Sequence, residues 1–144
     1  MKINITITID GNELVKFERE LDGAKTEAKR ELSQYARFFD EACPAWTKDS
    51  EYNLTFLKLQ QQYANDILKS KGHIFLNDVY DMLGIPRTKA GQVVGWVYNE
   101  TNPVGDNYVD FGIFEEGNQE FVNGYKTSVL LDFNVDGCIL EVLN

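Results

Sequence analysis

Four sets of residues have the types and spacing from which chemistry could be built. Asp132, Asn134, Asp136, Gly137 and Ile139 match the opening of a calcium loop, D-x-N-x-D-G-x-I. Such a loop closes its oxygen cage with a bidentate Glu at the twelfth position. Here that position is Leu143, and Glu141 comes two residues early. The pattern therefore predicts a hairpin corner on an Asp-Gly pair rather than a cation site. The single histidine, His73, has Asp78 and Asp81 within reach in sequence. General base catalysis also needs a nucleophile or a metal, and no Ser or Cys motif accompanies it, so it reads as a capping or packing residue. Gly84, Gly91 and Gly95, with Arg87 and Lys89 between them, loosely suggest an anion loop. A phosphate cradle, however, needs clustered glycines opening a helix, whereas Gly84 closes one and Gly95 falls within a strand pattern. The fourth set is acidic: Glu100, Asp106, Asp110, Glu115, Glu116 and Glu120. Pairs among these could serve a glycosidase or a metal nuclease only if they converged, which spacing does not establish.

The wider motif search points the same way. The sequence contains no H-E-x-x-H, C-x-x-C, G-x-S-x-G or Walker pattern. The expectation is a protein that is not an enzyme and uses no cofactor or metal. What remains is charge. The chain has 144 residues with 23 acids against 14 bases, a net charge of −9. From residue 90 onward nine acids face one base, Lys126, so that segment holds eight of the nine net charges. A surface of that sign repels nucleic acid and anionic membrane. It attracts basic proteins, including the nucleic-acid grooves of other proteins. The six acids of the fourth set are therefore candidate partner-binding residues.

These residues need elements to position them. Ile3, Ile5, Ile7 and Ile9 alternate with polar residues, Asp10-Gly11 follows, and Leu14, Val15 and Phe17 return, which reads as a β-hairpin over residues 1–20. Ala24, Ala28, Leu32, Tyr35, Ala36 and Phe39 repeat at three and four, as on a helix that Pro44 must end. Asp49 or Ser50 caps a second helix over 51–70, stopped by Gly72. A third, short helix covers 78–83, with Asn77 as cap and Gly84 in the left-handed closing position. Strands are expected over 92–98, 108–114, 128–133 and 138–143, joined as an antiparallel meander. The reading is one α+β domain over 1–144: hairpin 1–20, helical part 24–84, acidic β-meander 90–144. Cys43 and Cys138 are too few for a disulfide scaffold. No run approaches a membrane span and the N-terminus has no signal-peptide pattern, so a cytoplasmic protein with reduced thiols is expected.

The strings YNLTFLKLQQQYAND, HIFLNDVYDMLGIPRTKAGQVVGWVY, GDNYVDFG and LLDFNVDG resemble an uncharacterised family of small phage, prophage and mobile-element proteins. The resemblance implies an accessory, element-borne origin and brings no catalytic residues. Members often begin with a membrane-anchoring segment, where this chain begins with its hairpin. Charge and resemblance together suggest a non-enzymatic binder of a basic protein, such as a nucleic-acid mimic that inhibits a defence nuclease. The alternatives are a phage structural or assembly component acting as an oligomer, and a carboxylate-based metal protein or enzyme.

Overall fold

Helix α1 (Ser50–Lys71) dominates the architecture and follows from its sequence. The Asp49 carboxylate accepts the Glu51 and Tyr52 amides at its start, and Gly72 turns left-handed (φ 86°) at its end. Lys69 and Lys71 sit in the last turn, where the helix dipole favours cations. The computed structural model describes residues 32–143, and the expected N-terminal hairpin lies outside them, as do Ala24 and Ala28.

Strand β1 (Arg37–Phe39) comes first. Tyr35, Ala36 and Phe39 were expected on a helix; Tyr35 instead lies in a turn and Phe39 in this strand. The apolar spacing suits both, because a short apolar run does not separate helix from strand, and pairing with a distant strand decides it. After α1 come β2 (His73–Phe75) and α2 (Leu76–Leu83) without a break. Helix α2 begins two residues earlier than its sequence signals, because the Phe75 amide donates to the Asp78 carboxylate at 3.2 Å. Asn77 does not cap the helix. It lies inside the helix and fastens the following loop, donating to Thr88 O and accepting the Thr88 amide. Gly84 takes the left-handed position as expected (φ 74°).

Strand β3 (Val94–Val97) follows, then α3 (Gln119–Val122), β4 (Val129–Leu131), β5 (Gly137–Cys138) and α4 (Leu140–Leu143). All strand pairs among the described residues are antiparallel, in two small sheets ordered β1-β4 and β2-β3-β5. The α+β class holds. The meander does not: β4 leaves its neighbours to pair with β1, and β5 pairs with β3. Residues 132–136 therefore cross between sheets instead of forming a hairpin corner. Residues 140–143 form a helical turn, not the end of a strand.

Residues 108–114, expected as a strand, join no ladder: 109–111 run irregularly, Gly112 turns left-handed (φ 73°) and 113–114 form a turn. The backbone of 109–111 is held by side chains of α1 and by the Asp132 and Asn134 amides, which donate to Phe111 O (3.1 Å) and Asp110 O (3.2 Å). Asn65 accepts the Val109 amide at 2.7 Å and donates to Val109 O at 2.9 Å, and Gln61 accepts the Phe111 amide at 2.8 Å. Two amide side chains one helical turn apart and two backbone amides from 132 and 134 thus take the place of a strand ladder. This lets Val109 and Phe111 bury fully without leaving backbone groups unpaired. Phe111 then meets Phe133 edge to face (5.4 Å), and Phe133 meets Tyr80 (5.6 Å). Leu57, Leu68, Leu76 and Trp96 complete the centre of the core. Strands β2 and β3 approach so closely at Gly95 that a Cβ there would lie 2.2 Å from Ile74 O, which is the close backbone approach its sequence setting suggests.

Candidate interaction surface

Five of the six acidic candidates occupy two stretches on either side of the clamped 109–111 segment, and Asp110 lies within it. Glu100 and Asp106 stand exposed on a loop, 98–108, that closes on itself. The Asn99 amide donates to Asn107 Oδ1 (3.0 Å) and Asn107 Nδ2 donates to Asn99 O (3.1 Å). Asn107 accepts a left-handed backbone (φ 63°) to do so. Between these two asparagines the Asn99 carboxamide also accepts the Thr101 and Asn102 amides. Glu115, Glu116 and Glu120 belong to the second stretch, a single 3₁₀ turn (Glu116–Asn118) running into α3. Asn118 holds it from below, donating to Gly112 O and Leu130 O.

Asn134 ties the 98–108 loop to Asp110. Its Oδ1 accepts the Asp110 amide (2.7 Å) and the Trp96 indole N–H (2.9 Å), while its Nδ2 donates to Asp106 Oδ2 (3.1 Å) and Tyr108 O (3.0 Å). Asp106 and Asp110 are thereby gathered on one carboxamide, while the Asp110 carboxylate turns back to accept the Gly112 amide. Not every acid presents free charge. Glu120 pairs with Lys126 at 2.9 Å, both exposed. Glu100 is bonded by the Tyr98 hydroxyl, and this bond pushes Tyr98 above its ordinary pKa. Exposed aromatic and aliphatic side chains stand among the acids: Val104, Tyr108, Phe114 and Tyr125, the last 82% exposed.

The calcium-like string is taken up by structure. Asp132 is buried and accepts the Ser33 amide and hydroxyl (3.1 and 2.6 Å), Asn134 forms the link just described, and Asp136 accepts the Val97 amide. No group of three or more acidic, His or Cys side chains able to hold a metal occurs among the described residues. His73 is half-buried in β2, edge to face with Phe75 at 5.5 Å. The two carboxylates that might have oriented it are used elsewhere: Asp78 caps α2, and Asp81 takes three hydrogen bonds from Arg87, the shortest 2.6 Å. Those bonds hold Asp81 below the usual carboxylate range. Arg87 is therefore already paired and does not await an anion. Both cysteines are free: Cys43 is buried, which raises its thiol pKa, whereas Cys138 is exposed and not a core residue. The sequence reading missed the asparagines and glutamine that build this surface. Their signal was present only as an excess of Asn near turns.

Fold and surface define a small α+β protein with its negative charge concentrated in the second half. The chain belongs to a family described as Family of unknown function (DUF6353), whose profile matches residues 9–143. No curated protein and no solved structure matches it. No helix among the described residues is long and apolar enough to cross a membrane.

Proposed function

We propose that this is a non-enzymatic accessory protein, carried by a phage or other mobile element and acting in the cytoplasm, whose acidic surface binds a basic protein. The observation that carries this reading is charge segregation. Nine acids against one base over residues 90–144 is a self-repelling arrangement that folding alone does not favour. Glu100, Asp106 and Glu116 stand exposed on elements fixed by neutral amide bonds, so the charge is held at the surface and is not needed inside. A basic nucleic-acid-binding protein, inhibited by mimicry of its substrate, is the partner this chemistry fits best.

Association should be fast at low salt and slow steeply as the Debye length shrinks from ~10 Å at 0.1 M to ~3 Å at 1 M. The test is capture of a basic partner from the source cell, followed by binding kinetics with wild type and with Glu115→Lys, Glu116→Lys, Glu120→Lys combined. The triple variant should lose on-rate and keep its fold, since exposed charges contribute ~1 kcal/mol or less each. Equal binding by both proteins across the salt range would refute the reading. Exposed Phe38, Phe114 and Tyr125 favour the second reading, an oligomeric assembly component. A fixed oligomer persisting at low concentration would support that one instead.

A further inference from the structure

Asp136 sits where the pairing of β5 with β3 ends. The ladder stops at Gly95↔Gly137. Beyond it Asp136 continues the edge alone: its amide donates to Gly95 O (2.9 Å), and its Oδ2 accepts the Val97 amide (2.9 Å). A side chain thus extends the sheet edge where the strand has run out. The other oxygen is different. Oδ1 is buried and accepts no well-formed hydrogen bond, though the Asp106 amide acts on this carboxyl group. Gly105 covers it so closely that a Cβ there would lie 2.0 Å from the oxygen.

The surroundings do not favour a charge at this point. Strand β3 offers backbone and apolar side chains. The 98–108 loop brings Gly105 and the carboxylate of Asp106, which is the charged group that acts on Asp136. Tyr98 and Glu100 of the same loop are bonded to each other, and Cys138, next on β5 beyond Gly137, is exposed. A buried carboxylate oxygen without a well-formed donor, next to a second carboxylate, is costly when ionised. Protonation on Oδ1 leaves Oδ2 free to keep the Val97 amide and removes the repulsion from Asp106.

We infer that Asp136 and Asp106 form a proton-operated latch, which holds the 98–108 loop tightly on the β3–β5 edge when Asp136 carries a proton and loosens it when both carboxylates are charged. The proton comes from and returns to solvent, and no other group changes state. Burial is the main influence raising the Asp136 pKa and Asp106 adds to it, while the Val97 and Asp106 amides pull partly the other way. The sign follows from this. An acid whose folded-state pKa lies above its unfolded value binds its proton preferentially in the closed state. Closure therefore strengthens as pH falls toward the unfolded value and weakens as pH rises through the folded one. The latch goes beyond the proposed partner binding and stands whether or not that reading does.

Carbon-detected NMR of the Asp136 carboxyl tests this directly. Asp136 should titrate above the ordinary aspartate value. The Asn99 amide, which reports the neck of the loop, should become more protected from exchange on acidification once intrinsic rates are removed. The gain should be up to about tenfold for each unit separating the Asp136 midpoint from an ordinary one. Asp106→Asn should lower the midpoint and flatten the exchange profile. Gly105→Ala should displace Oδ1 toward water and return Asp136 to the ordinary aspartate value. If the glycine variant fails to fold, the near-isosteric Asp106→Asn still decides. An Asp136 midpoint at the ordinary aspartate value, or Asn99 protection independent of pH, would overturn the latch.

Discussion

Asn65→Ala is the sharpest probe of how this fold is held. The alanine removes one group that meets both backbone atoms of Val109, at 2.7 and 2.9 Å. Val109 is fully buried, so water cannot replace the amide without a local opening. An orphaned buried donor or acceptor costs about 1–3 kcal/mol, so losing both partners should cost about 2–6 kcal/mol. Against a typical domain stability of about 5–15 kcal/mol, that is a large fraction. The assay is urea unfolding followed by the fluorescence of Trp46 and Trp96. The midpoint should fall while the slope stays unchanged, because the surface exposed on unfolding is nearly the same. Gln62→Ala, one turn away on the exposed side of α1, serves as control and should stay within ~0.5 kcal/mol. Asn65→Asp adds a second check. At neutral pH its carboxylate faces Val109 O and should destabilise. On acidification the neutral acid regains a donor, so its deficit should shrink as pH falls. If Asn65→Ala lies within ~0.5 kcal/mol of wild type, the 109–111 segment is not held by α1 and the reasoning fails.

Other positions give further tests. Gly95→Ala should destabilise by about 1–3 kcal/mol or more in the same unfolding assay, since its Cβ would meet backbone atoms of β2 that cannot swing away; wild-type stability would contradict the close approach of β2 and β3. Calcium calorimetry should show no site tighter than about millimolar, because Asp132, Asn134 and Asp136 are engaged in structure; a micromolar site abolished by Asp132→Ala would reverse that. Arg87→Ala should return the Asp81 carboxyl upward to its ordinary titration point, read by NMR. Because Arg87 depresses Asp81, their mutual support exists above the unfolded value of 3.8 and disappears as pH falls through the folded one. The stability gap between wild type and this variant should therefore close at acid pH, and a gap that widens there would exclude the pairing.

The parts of the fold legible in the sequence are those governed by local rules. Asp49 and Gly72 bracket α1 because capping is decided within one turn of chain, and Gly84 closes α2 for the same reason. Strands β3 and β4 fall inside their expected windows because β-branched and aromatic residues mark them. Tertiary context overrode the rest. Phe39 belongs to β1 because it pairs across to Val129, ninety residues away. Residues 108–114 form no strand: 109–111 bond to side chains of α1 and to the amides of Asp132 and Asn134, which no strand pattern announces. The acidic candidates were legible as charge, and all six lie in the described structure. The grouping of Asp106 and Asp110 through Asn134 was not, because a carboxamide that bonds four neighbours looks in sequence like any turn asparagine.

The mutual bonding of Asn99 and Asn107 has a practical consequence. The two residues form a neck that is complete without the chain between them, and residues 101–104 are exposed. Lengthening a surface loop adds only ~0.6 kcal/mol of closure entropy per doubling. Foreign sequence inserted between Asn102 and Pro103 would therefore hang outside the neck, leaving Gly105 and Asp106 in place on the sheet edge. The protein could thus carry a displayed epitope or reporter tag at that point, on a scaffold whose own fold would not register the cargo.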